Sequence, residues 1–61
     1  MIDSREIIKL LKNNGWYHVR IHGDHWQFRN HNPPGIVTVP YPKKDIPKGT
    51  VNSILKQAGL K

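Results

Sequence analysis

A chain of 61 residues with ten Lys and Arg against four Asp and Glu, a net charge of +6 and no cysteine excludes several classes of protein. At this length only roughly 60% of the surface exposed by the unfolded chain is buried on folding, so one small domain over residues 1–61 is expected, with no deep substrate pocket. Disulfides and thiolate zinc sites are excluded, and apolar runs of at most two residues fit neither a membrane span nor a signal-peptide core, so a soluble, cytoplasmic protein is expected.

The first element is a helix over residues 3–14. Asp3 followed by Glu6 has the spacing of a capping box, Ile7, Ile8, Leu10 and Leu11 share one broad face, and Gly15 stands where a left-handed C-cap belongs. Over residues 16–22 the period changes to two, with Tyr17, Val19 and Ile21 alternating against His18, Arg20 and His22, the pattern of a strand. Gly23 and Asp24 then suit a two-residue hairpin turn in which Gly23 takes the positive φ. That turn sets a register: 22 faces 25, 21 faces 26, 20 faces 27, 19 faces 28 and 18 faces 29. One face of the ribbon then carries the core pairs Ile21 with Trp26 and Val19 with Phe28. The other carries His22 with His25, Arg20 with Gln27, and His18 with Arg29.

HNPPG at 31–35 reads as a turn, and IVTVPY at 36–41 as a third strand with Val37 and Val39 inward and Thr38 outward. Pro40 ends this strand or places it at an edge. Residues 40–49 form a loop with three prolines and Lys43, Lys44 and Lys48. Pro47 then opens a second helix, in which Val51, Ile54, Leu55 and Ala58 recur at helical spacing and Gly59 closes the end. Two amphipathic helices and one apolar sheet face must bury one another. An α+β fold of order α-β-β-β-α is therefore expected, with a three-stranded antiparallel sheet and both helices on one face. This is the order of double-stranded RNA-binding domains.

The uncovered face would hold His18, Arg20, His22, His25, Gln27 and Arg29, a cationic surface suited to phosphates. An exposed strand histidine is in itself structural or incidental more often than catalytic. His25, however, sits at a hairpin tip where packing gives no reason for an imidazole. A metal site is rejected: His18 and His22 are about 13 Å apart along a strand rising ~3.3 Å per residue, and His22, Asp24 and His25 have no supporting shell legible in the sequence. Nucleophilic catalysis is rejected as well, since Ser4 and Ser53 belong to the helices and there is no cysteine. Two non-enzymatic classes compete with a nuclease. One is a module that only binds RNA or DNA through the basic face, and the other is a protein-interaction module.

Four stretches, SREIIKLLKNNGW at 4–16, RIHGDHWQF at 20–28, VTVPYPKKDIPKGT at 37–50 and SILKQAGL at 53–60, resemble the HicA toxins of toxin-antitoxin pairs. The resemblance implies a small mRNA interferase with a fold like that of double-stranded RNA-binding domains. Its essential histidine maps onto His25, acting as general base or general acid without a metal or other cofactor. Phosphate-holding roles then fall to Arg20, His22, Gln27, Lys43, Lys44 and Lys48, and Gly23 and Asp24 form the turn that positions His25. The expected partners are mRNA and a HicB-type antitoxin covering the site, with operator DNA reached only through the antitoxin, no membrane, and a monomer when free. The chain departs from the family pattern at Asp24, where Ser usually precedes the histidine. This carboxylate either serves the turn alone or acts on the neighbouring imidazole.

Overall fold

The computed structural model describes residues 2–32 and 34–61. Helix α1 (Ser4–Asn13), strands β1 (Tyr17–His22), β2 (His25–His31) and β3 (Pro34–Pro40), and helix α2 (Lys48–Gln57) follow one another. The strands form one antiparallel sheet in the order β1-β2-β3. This is the expected α+β arrangement of order α-β-β-β-α.

Helix α1 starts where its sequence places a cap. The Asp3 carboxylate accepts the Arg5 backbone N–H at 2.8 Å, and the Glu6 carboxylate accepts the Asp3 N–H at 3.3 Å, completing the capping box. It ends at Gly15, whose φ of +89° is the left-handed conformation that glycine adopts without strain. A second constraint acts there. A Cβ on Gly15 would lie 3.1 Å from Oδ1 of Asn30, and the Asn30 amide donates at 3.0 Å to the Asn14 carbonyl, tying the end of α1 to β2. Helix α2 follows Pro47 and turns out at Gly59, φ +72°.

Ile7, Ile8 and Leu11 of α1 and Val51, Ile54 and Ala58 around α2 close over Phe28, Val37 and Val39 of the sheet, with Trp16 and Ile46 at the margins. Leu10, assigned to the apolar face by its spacing, lies at the rim of that stripe and is exposed. Both helices make their main sheet contacts with β3. The opposite edge strand, β1, therefore overhangs the core, and Ile21, expected to be buried with Trp26, is 54% exposed.

The register of the first hairpin departs from the expected ladder part-way along. His22↔His25, Ile21↔Trp26 and Arg20↔Gln27 pair as anticipated. A bulge then intervenes between His18 and Arg20, so that His18 pairs with Phe28 and Tyr17 with Arg29. One extra residue in one strand reverses the faces of everything beyond it. His18 therefore leaves the wet face and stacks on Trp26, ring centroids 4.4 Å apart. Val19, expected in the core, and Tyr17, two residues before it in the same alternation, are exposed. Strand β2 runs on to His31 and β3 begins at Pro34, so the turn expected over 31–35 is shorter than its composition suggested; part of it, Pro33, lies outside the described residues.

The α1 cap makes the stability of the fold pH-dependent. The Arg5 side chain and then the Arg5 backbone N–H hydrogen-bond to the Asp3 carboxylate and hold its pKa below the ordinary aspartate value. Stabilisation from this group is fully present above about pH 3.9, the unfolded value, and is lost as the pH falls through the depressed folded value. Asp3→Ala is expected to melt at a lower temperature than the parent at neutral pH, and the two melting curves should converge at strongly acidic pH. Circular dichroism melts across the acid range measure this.

Candidate functional site

The two-residue turn at Gly23 and Asp24 places His25 at the start of β2. Gly23 has a φ of +63°, and no atom lies within 4 Å of where its Cβ would be. Glycine is needed there for backbone conformation and not for space. The turn is held to the third strand as well, because the Tyr41 N–H donates to the Asp24 carbonyl at 2.7 Å. On the inner side of the hairpin the Trp26 ring lies between His18 and Tyr41, at centroid distances of 4.4 and 4.3 Å. His18 Nε2 is 3.1 Å from the Arg20 carbonyl. An aromatic layer and a backbone hydrogen bond thus support the turn from below.

The outer face of the sheet is ordered in rows. His22, His25 and Pro40 form the first, Arg20, Gln27 and Thr38 the second, and Tyr17, Arg29 and Ile36 the third. None of the residues of the three strands is acidic. His25 has 57% of its side chain exposed, and its Nδ1 lies 3.4 Å from an Asp24 carboxylate oxygen. That separation is too long for a good N–H···O hydrogen bond and places the carboxylate beside the ring as a charge. So exposed a pair adds little to stability.

The cationic residues expected to accompany His25 fall into three places. Arg20 and Gln27 share its face, Arg20 exposed and Gln27 half-buried, and His22 is directly opposite it. Lys43 and Lys44 line a groove with Asp3, Ser4, Arg5, Tyr41 and Pro42 at the start of α1. Lys48 lies further along, beside Ile2, Asp45, Ile46, Pro47 and Val51. His18 and His22 end on opposite faces, and among the described residues no three His, Asp or Glu side chains come close enough to hold a metal ion.

Two positioning features escaped the sequence reading. Ser4, 1% exposed, accepts the Lys43 N–H on its hydroxyl at 3.1 Å, while its own N–H donates to the Lys43 carbonyl at 2.8 Å. With the Ile46 N–H donating to the Ile2 carbonyl at 2.9 Å, this fastens the lysine loop to the N-terminal end of α1. The second is the bulge at Val19. It gathers Tyr17, Val19, Arg20, Gln27, Arg29 and Ile36 around one shallow hollow on the outer face. A strictly alternating strand gives no sign of the bulge.

A family model described as the HicA toxin of bacterial toxin-antitoxin matches residues 4–60. The chain belongs to the HicA family. It is the toxin of a toxin-antitoxin system, and its family implies a cognate antitoxin as partner. No curated protein matches the sequence. Among the described residues of this HicA chain no helix is long and apolar enough to cross a membrane.

The glycines at the two turns of this HicA fold should respond differently to a methyl group. Gly23→Ala meets only the left-handed backbone penalty of about 1–2 kcal/mol. Gly15→Ala carries the same penalty and a clash with Asn30. Urea denaturation should therefore show the larger loss for Gly15→Ala, and Asn30→Ala should reduce the difference between the two glycine variants.

Proposed function

We propose that this HicA chain is a metal-independent endoribonuclease that cleaves mRNA, with His25 as its acid-base group. The observation that carries this reading is the exposed imidazole on a cationic sheet face whose strands hold no acidic residue, with Nδ1 beside the carboxylate of the turn residue Asp24.

RNA supplies its own nucleophile, so little protein chemistry is needed. A carboxylate at Nδ1 favours the neutral tautomer protonated there, which puts the lone pair on Nε2. Nε2 takes the 2′-OH proton as the bond from O2′ to phosphorus forms and the bond from phosphorus to O5′ breaks. The imidazolium so produced returns a proton to the departing 5′-oxygen. A positioned acid-base group of this kind contributes typically 10²- to 10⁴-fold. Arg20, diagonal to His25 across the hairpin at about 7–8 Å, sits where it can hold a phosphate flanking the scissile one. Lys43 and Lys44 of the loop and Lys48 at the start of α2 hold phosphates further along the RNA. The remaining roles are His22 and Gln27 as further RNA contacts, and Gly23 and Asp24 as the turn that aims the ring. The free chain acts as a monomer and a single domain. The HicB-type antitoxin inhibits by laying carboxylates over the same face, an association faster at low salt. Operator DNA is reached only through that partner.

Induced expression of the parent chain is expected to arrest a bacterial host and degrade its mRNA, and the purified protein should cleave mRNA in excess EDTA. His25→Ala should fold normally, bind RNA and lose cleavage by roughly 10²- to 10⁴-fold. A His25→Ala chain that still cleaves at the parent rate removes the acid-base assignment. A parent chain that binds RNA and never cleaves it is a binding module.

A further inference from the structure

Three apolar side chains face solvent on the outer surface of the sheet: Tyr17 at 43%, Val19 at 46% and Ile36 at 51% exposure. None contributes to the core, and two of them, Tyr17 and Val19, reach this face only because of the bulge in β1. They surround a hollow shared with Arg20, Gln27 and Arg29. Arg29 is paired on one side with Tyr17 and on the other with Ile36, so a guanidinium rises between an aromatic ring and an aliphatic side chain. The Tyr17 ring is in turn tilted against His31, centroids 5.7 Å apart.

A duplex read by its shape needs phosphate and 2′-OH contacts and gains nothing from an exposed aromatic, because its bases are stacked inside. An unpaired strand does gain, since its bases can leave the helix and stack on a ring while basic side chains track the backbone. We infer that Tyr17, flanked by Val19, Arg29 and Ile36, is a stacking platform for an unpaired base, and that the RNA crosses the outer sheet face as a single strand. This rests on the RNA-cleaving reading above and adds the strandedness of the substrate to it. Arg29 and Tyr17 lie about 13 Å from His25 at the usual rise of ~3.3 Å per residue, a span that a short run of unpaired nucleotides bridges. The base on Tyr17 thereby fixes which phosphate reaches His25. The fold order is shared with domains that bind duplexes, and the surface chemistry of this face selects the opposite substrate.

The test uses the full chain carrying His25→Ala, so that RNA survives, and three fluorescein-labelled probes: a short single-stranded oligoribonucleotide, its perfect duplex and an abasic strand of equal length. Anisotropy titrations should show the single strand bound more tightly than either of the others. Adding Tyr17→Leu should weaken single-strand binding roughly 5- to 100-fold, the usual range for one lost base stack, while Tyr17→Phe stays close to the parent and duplex binding is unmoved. Photocrosslinking of a 4-thiouridine strand, read by mass spectrometry, needs no variant and should map to the peptide holding Tyr17. Equal affinity for single strand and duplex, or no effect of Tyr17→Leu with crosslinks confined to α1 and the lysine loop, overturns the platform and leaves the nuclease reading standing. Loss of antitoxin binding in Tyr17→Leu with RNA binding untouched assigns the face to the protein partner and also overturns it. If neither form of RNA binds the parent, the nuclease reading falls first and the platform with it.

Discussion

One backbone torsion angle governs what this surface can be. Gly23 at φ +63° closes a turn of two residues, and a turn of that length leaves the partner of His25 no freedom. It must be His22. Because side chains alternate along a strand, that single pairing decides that His25, Gln27 and Arg29 look outward and that Trp26 and Phe28 look in. The burial of Phe28 and the exposure of His25 are two results of the same constraint. The Asp24 carbonyl adds a third strand to it by accepting from Tyr41, so the turn is braced from both neighbours of β2.

The bulge at Val19 complicates this plan without undoing it. Up to Arg20 the ribbon obeys the turn, and beyond it the faces of β1 are exchanged. The exchange is coupled to the aromatic layer. The Trp26 ring packs against Tyr41 and stacks with the His18 ring. The same shift moves Tyr17 from the side of the helices to the side of Arg29. Inner packing and outer chemistry therefore change together with one shift of register.

What was legible in the sequence was whatever local chemistry determines. Asp3 and Glu6 mark the start of α1 through a hydrogen-bond pattern spanning four residues, Gly15, Gly23 and Gly59 mark places of positive φ, and Val37 and Val39 alternate against Thr38 along a short β-branched run. The exposed position of His25 followed from the turn. The bulge was not legible, because YHVRIH alternates without interruption over residues 17–22 and the reason for its irregularity lies on other strands. Nor was the exposure of Ile21, which depends on both helices favouring β3. Ser4 looks in the sequence like any other helix residue, and its use is visible only once the chain brings Lys43 to it. The division of the cations into three clusters is likewise a matter of tertiary placement, since Lys43 and Lys44 share one groove and Lys48, close in the chain, lies in another.

The extra residue in β1 also bears on how chains of this type can vary in length. Without Val19, His18 and Arg20 would be adjacent and would meet Phe28 and Gln27 in unbroken alternation, each still on the face it occupies now. In a regular strand the loss of one residue turns over everything beyond it. Here a deletion at one position leaves every other pairing in place. The ladder accommodates either count, so Val19 adds a side chain to the outer face without taking a place in the pairing.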